Sequence, residues 1–221
     1  AVLAYALYVK ACEDNTVATA NNIDVFTPSK LKEEYQKILE YKPDLIITCA
    51  YGQFLPKELL DAPTYKSVNI HGSLLPKYRG GSPIQRSIIN GDKETGITLM
   101  YMNEKMDEGD ILNQESLPID IKDTNTTLFS KLSDLGLKMI LELLPKLFKN
   151  ELNPIKQDNS KATIAKNLTK EDEHIIFNDD VLTVYNHIRG MLDNPGCYFI
   201  VDDTKYKIHE AFYKESNEIS S

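Results

Sequence analysis

Nucleotide-binding signatures are missing from this chain of 221 residues: none of its ten glycines falls in a GxGxxG fingerprint or a phosphate-cradling P-loop, which removes the main support for a nucleotide cofactor. Cysteine is scarce. Cys12, Cys49 and Cys197 are too few and too far apart for a disulfide framework or a CxxC metal clip, so a reducing compartment, by default the cytoplasm, is expected. Histidine is dispersed, at positions 71, 174, 187 and 209, with no HExxH, and no metal is expected. Positive charge is also short: 25 Lys and Arg against 33 Asp and Glu give a net charge of −8, which argues against a sequence-independent nucleic-acid binder. A nucleic-acid substrate would need a local basic patch or a segment outside the chain. No long hydrophobic run is present, and no membrane partner is expected. The most apolar stretch, Ala1 to Val9, has no basic segment before it and no long span after it, so it reads neither as a signal peptide nor as a membrane helix. The chain opens inside that stretch without an initiator Met, and further residues are expected upstream.

What is present is globular. A hydrophobic fraction of 42% over 221 residues supplies a core for one large domain or two small ones. Asp44–Ala50, Ser67–His71 and Gly96–Met102 are short apolar runs rich in β-branched residues, as expected of strands buried on both faces of a parallel sheet. Helical patterns lie among them. Pro28–Tyr41 has Ser29 as candidate N-cap, with Leu31, Tyr35, Ile38 and Leu39 on one face. Ser82–Asn90 has Pro83 in its first turn and Gly91 as its stop. Asn125–Asn150 repeats Leu and Met at helical spacing, with Pro145 expected to kink or shorten its end. Alternating strands and helices predict βαβ units in a doubly wound, mostly parallel sheet. Beyond a polar connection at 153–172, the pattern changes to a short strand (Ile175–Phe177), a helix (Asp180–Met191) and a hairpin around Asp202–Asp203. The sequons Asn125-Thr126-Thr127 and Asn167-Leu168-Thr169 read as chance matches in an acidic cytosolic chain.

One constellation carries chemistry. Asn69 and His71, two apart on a strand, leave the same face while Val68 and Ile70 point to the other. In open α/β sheets ligands bind beyond the C-terminal strand ends, where this strand runs into Gly72-Ser73. The following strand leads to Asp107-Glu108-Gly109-Asp110, expected to place a carboxylate at the same edge. An Asn amide can donate to an oxygen gaining negative charge; His can move a proton, and a carboxylate can orient it and stabilise its cation. No GxSxG elbow accompanies the histidine, which favours direct attack by a nucleophile of the substrate over a covalent enzyme intermediate. Taken singly, a His such as His71 at a strand end is more often a satisfied structural residue than a catalyst, and Asp107 in its turn more often a turn former.

The segment from Asn69 to Ile84, NIHGSLLPKYRGGSPI, resembles the signature of the 10-formyltetrahydrofolate-dependent formyltransferases. Ala50–Pro56, Gly91–Thr98 and Met106–Leu112 continue the resemblance in register, from about Val25 to the end of the chain. It implies a Rossmann-like formyltransferase domain at 1–152 with its N-terminal part missing, a linker at 153–172, and at 173–221 the start of a small, OB-like β-barrel domain. It implies that Asn69, His71 and Asp107 are catalytic, that Ser73, Leu74, Leu75 and Pro76 contact the folate, and that backbone groups of Gln53, Phe54 and Leu55 help hold the pterin. Gly80–Arg86, Arg189-Gly190 and Asn194-Pro195 are similar to the branch of the family that formylates initiator methionyl-tRNA, which implies that tRNA as acceptor and a monomeric enzyme. The sequence departs from the family in three places. A Gly-Thr-Pro turn and a basic tRNA-engaging loop are not recognisable in residues 1–24, the C-terminal domain is only begun, and Gly196-Cys197 stands where an aromatic-proline pair is usual. Lys77 and Arg79 are the nearest candidates for phosphate contact and read equally well as part of a solvated loop. The alternatives are a formyltransferase for a small amine such as a sugar nucleotide or glycinamide ribotide, a relative that hydrolyses the folate, and a non-catalytic folate-binding module.

Overall fold

The β-branched runs form the sheet. The computed structural model describes residue 18 and residues 20–214, so Cys12 and the opening stretch Ala1 to Val9 lie outside the described residues. Two short helices, α1 (Leu31–Glu34) and α2 (Gln36–Glu40), precede β1 (Ile46–Cys49); α3 (Lys57–Asp61) then crosses to β2 (Ser67–His71). After the two-residue β3 (Arg79–Gly80) come α4 (Pro83–Ile89), β4 (Glu94–Tyr101), β5 (Ile111–Pro118) and the long α5 (Asn125–Phe148). A short β6 (Ile164–Ala165), α6 (Val181–Met191) and the hairpin β7 (Cys197–Val201) and β8 (Thr204–Ile208) complete the described chain.

The main sheet has the order β1-β2-β4-β5. β1 and β2 pair parallel, as the strand-helix alternation predicts, whereas β2–β4 and β4–β5 pair antiparallel. Strand direction is not encoded in an apolar run, and β5 escapes a hydrophobicity reading because Asn113, Gln114, Glu115 and Ser116 make it a half-exposed edge. The expected helix at 28–41 starts instead at Leu31 and is interrupted at Tyr35; Ser29 turns to Glu34, and the Leu31 N–H is capped by Gln53 Oε1 at 2.9 Å. α5 opens with a Thr124–Thr127 capping box and continues through Pro145 to Phe148. The strand expected at Ile175–Phe177 does not form: one bridge, His174 to Tyr198, stands in its place. Its apolar pattern comes from side-chain packing, with Ile175 buried and Phe177 edge-on to Phe199.

Strand alternation splits the apolar residues between two cores. Val68, Ile97 and Leu99 face α5, packing with Leu128, Leu132, Met139 and Leu143. On the other side Ile46 packs with Leu31, Ile38, Leu55 and Leu59. Between these helices the second sheet face is left to loops, and it carries Thr48, Asn69, His71 and Thr98. A third cluster joins α6 to the hairpin through Ile188, Met191 and Cys197, and burial pushes the Cys197 thiol up to about 11. Among the described residues no helix is long and apolar enough to cross a membrane.

The C-terminal part is fastened to the sheet domain by polar contacts. Buried Arg189 on α6 donates to the carbonyls of Asp120 and Asp123, the Asn125 amide donates to the carbonyl of Asn194, and Arg86 on α4 grips Asp172 with two bonds of 2.9 Å. That grip holds the Asp172 carboxyl below the usual carboxylate range, opposed by burial. A depressed carboxylate stabilises the fold above its unfolded pKa of about 4 and loses that contribution as the pH falls through its folded value. The stability gap between the native chain and Asp172→Asn is therefore expected to be constant from neutral pH down to about pH 5 and to narrow progressively below about pH 4. Urea unfolding at several pH values measures it, and a gap as large at pH 3 as at neutral pH would contradict it.

Candidate active site

β2 ends with its polar residues on the loop-covered face of the sheet, and each is held from more than one side. The Thr48 hydroxyl, on the parallel neighbour β1, donates to Asn69 Oδ1 at 2.9 Å, which fixes the amide so that its Nδ2 donates to Asp107 Oδ1 at 3.3 Å. His71 is 5% exposed; its Nε2 lies 2.9 Å from the carbonyl of Tyr78 and its Nδ1 3.7 Å from Asp107 Oδ1. A carbonyl can only accept, so Nε2 carries the hydrogen and Nδ1 presents its lone pair, or in the cation its proton, toward the carboxylate. Asp107 Oδ2 accepts from the Gly80 N–H at 2.9 Å. Asn69, His71 and Asp107 thus come together as the sequence predicts.

The route that brings Asp107 there differs from the expected one. Because β4 runs antiparallel to β2, its C-terminal Tyr101 pairs with Val68 near the start of β2, not beside His71. The 102–110 connection then folds back over the sheet. Asp107 sits in the left-handed region at φ 51°, and the turn presses so close to β4 that a Cβ on Gly109 would stand 1.7 Å from the Tyr101 carbonyl oxygen. The opposing loop is equally tight: at Gly80, φ 117°, a Cβ would meet the Ala165 carbonyl at 2.6 Å. Neither site tolerates a larger residue without moving Asp107 or its Gly80 partner.

The loop at 73–76 forms a wall on the same face. Buried Thr98 donates to the Ser73 carbonyl at 2.6 Å and accepts from the Leu75 N–H and from Gln114 Nε2, while Gln114 also donates to the Leu75 carbonyl. Ser73 Oγ is engaged by the Lys77 carbonyl at 2.7 Å, and Leu75 is buried, so Leu74 and Pro76 are the half-exposed members of the loop. The loop after β1 leaves from the same sheet edge; Leu55 is buried in the second core, Phe54 is 70% exposed, and the Gln53 side chain is spent on capping α1. Two hollows of the described surface, of about 300 Å³ around Phe26 and Tyr41 and about 410 Å³ around Ile121 and Tyr213, are lined by other residues.

Arg79 corrects an expectation. It is buried at 6% exposure and donates to Gln157 and Asn159, so its guanidinium is not offered to a phosphate, and Lys77 pairs with Asp92 at 2.7 Å. Thr48, Tyr78, Gly80, Thr98, Gln114 and Gln157 hold the trio and its wall; Tyr78, Gly80 and Thr98 lie within the segments that carry the resemblance, and Thr48, Gln114 and Gln157 are marked by no local sequence signal. Among the described residues no group of three or more His, Cys, Asp or Glu is placed to hold a metal ion.

The family profile described as "Formyl transferase" matches residues 8–144, and the one described as "Formyl transferase, C-terminal domain" matches residues 167–221. The chain belongs to the formyl transferase family. The match begins at residue 8, upstream of Val25, where the resemblance becomes readable by motif. Among curated formyl transferases, the methionyl-tRNA formyltransferase of Mesoplasma florum is 45% identical over 201 residues, 91% of this chain and 64% of its own length. That of Lactiplantibacillus plantarum is 47% identical over 198 residues, covering 88% of this chain and 62% of its own length. The chain spans a little under two thirds of the length of these relatives. Its Rossmann-like α/β fold is shared with solved structures, a formyltransferase among them. A 4-N formyltransferase from Francisella tularensis superposes with a TM-score of 0.76 at 23% identity, covering 91% of this chain and 84% of its own. HypX from Aquifex aeolicus, solved in complex with tetrahydrofolic acid, gives 0.74 at 20% identity, covering 89% and 34%.

Proposed function

We propose that this formyl transferase moves the formyl group of 10-formyltetrahydrofolate to the α-amino group of initiator methionyl-tRNA. The observation that carries the reading is the convergence of an amide donor, an imidazole with an open Nδ1 and a carboxylate on one sheet face, in a chain 45% identical to a methionyl-tRNA formyltransferase. The neutral amine attacks the formyl carbon, and the carbonyl oxygen becomes an oxyanion. Asn69 Nδ2 has two hydrogens; with one on Asp107, the other is the donor for that oxyanion. The attacking nitrogen gives a proton to His71 Nδ1, Asp107 stabilises the resulting cation, and the proton is returned to N10 of the folate as the C–N10 bond breaks. A new C–N bond replaces the old one with no net proton released. The wall of Leu74 and Pro76, with Ser73 and Leu75 fixed behind it, is the proposed folate side, joined by backbone groups of Gln53, Phe54 and Leu55 from the loop after β1. HypX, on the same fold, is solved in complex with tetrahydrofolic acid, which supports folate as the ligand.

The catalytic unit is assigned to residues 1–152, the connecting segment to 153–172 and the second unit to 173–221. The enzyme is read as a metal-free cytoplasmic monomer. The experiment offers the chain 10-formyltetrahydrofolate labelled in the formyl group with methionyl-tRNA, with amino sugars, or with no acceptor. Label in the tRNA is the expected outcome. Label in the amino sugar alone, or formate without any acceptor, would replace the reading, and folate binding without turnover would make the chain a binding module.

A further inference from the structure

We infer that Gln157, in the segment that joins the two units, is the positioning residue for Asp107; the inference rests on the role proposed for that carboxylate. Gln157 is 5% exposed and stands 50 residues from Asp107 in sequence. Its Nε2 donates to the backbone carbonyls of Asp107 and Gly109, both at 2.8 Å, and its Oε1 accepts from Arg79 Nε at 3.1 Å and Nη2 at 2.7 Å. All four hydrogen-bonding positions of the amide are used. The orientation admits no flip, because carbonyls only accept and a guanidinium only donates. Neighbours extend the grip: Asn159 accepts from Arg79 Nη2 at 2.7 Å and donates to Glu108 Oε1 at 3.2 Å.

These bonds fall on the two ends of the left-handed turn at Asp107. With φ at 51°, an L residue stays in that region only when its surroundings over-determine it. The carboxylate is held from the front by Asn69 and the Gly80 N–H, and its backbone is held from behind by Gln157. The segment carrying Gln157 is itself pinned on both sides, by the Ile155–Ile111 bridge on β5 and by the β3–β6 pairing of Arg79 with Ile164. What the sequence presents as a polar connector is the rear wall of the site. Its release would let the turn relax and swing Oδ1 away from Asn69 and His71 without touching the Leu74–Pro76 wall.

The full chain carrying Gln157→Glu or Gln157→Leu is assayed for formyl transfer, with tetrahydrofolate affinity and thermal unfolding measured alongside. Gln157→Glu keeps the volume and the Arg79 contact and places an oxygen against two carbonyls. A fall in kcat of about 10²-fold with KM for the folate and tetrahydrofolate affinity unchanged is expected, the size of loss that a misplacement of about 1 Å produces. In an Asp107→Asn background the same substitution is expected to cost nothing further, because the group it positions is already disabled. An unchanged kcat in folded Gln157→Glu, an equal loss in both backgrounds, or a loss confined to KM would overturn the inference while leaving the formyl-transfer reading intact. A wild-type chain that transfers no formyl group overturns that reading first. If Gln157→Leu does not fold, Gln157→Glu decides.

Discussion

Asp107→Asn is expected to slow formyl transfer by about 10³-fold or more, with tetrahydrofolate binding unchanged; a carboxylate that orients a histidine and stabilises its cation is worth about 10⁴ in hydrolytic triads. The size follows from the donors around it. Oδ1 faces Asn69 Nδ2 at 3.3 Å and His71 Nδ1 at 3.7 Å, and Oδ2 faces the Gly80 N–H at 2.9 Å. An asparagine of the same shape must turn an NH₂ toward one of these donors, so the substitution removes the charge that a His71 cation needs and also turns an attraction into a repulsion. Single-turnover transfer under saturating folate measures the chemical step, and a loss below about tenfold would refute the role.

Asn69→Ala is expected to lower kcat by about 10²- to 10³-fold, roughly 3 kcal/mol in the barrier, with little change in KM. Alanine removes the donor aimed at the developing oxyanion and leaves the Thr48 hydroxyl and Asp107 Oδ1 without their partner, while the strand bonds of β2 stay in place. An interaction made in the transition state alone appears in kcat and not in KM. Turnover equal to wild type would remove Asn69 from the mechanism and leave it as a strand-end residue paired to Thr48.

Asn69 and His71 are legible in the sequence because strand period is a hard constraint: they share a face whatever the neighbouring strand does, whereas Asp107 arrives through the fold-back of the 102–110 connection, which that period does not encode. The strands β1, β2 and β4 are legible for a similar reason, since burial on both faces requires unbroken apolar runs. The direction of β4 is not, and neither is β5, whose half-exposed edge carries Asn113 to Ser116. Ile175–Phe177 misleads in the opposite sense, since an apolar triplet satisfied by side-chain packing needs no strand partner. The supports of the site are the least readable part. Gln157 lies 78 residues from Arg79 and 50 from Asp107, and only the folded chain shows that one amide answers both.

The contact of α6 with α4 gives the molecule a load path. At Gly190 the two helices approach so closely that a Cβ would stand 2.7 Å from Ile89 Cγ1, and Arg189 beside it clasps the carbonyls ahead of α5. The β7–β8 hairpin shares a buried cluster with α6, so a force applied to the hairpin passes through α6 into α4, whose first residue, Pro83, comes three residues after Gly80 of β3. The stretch of chain between the two family profiles is therefore bridged by direct packing of the parts on either side, and the hairpin is joined through α6 and α4 to the loop whose Gly80 N–H holds Asp107.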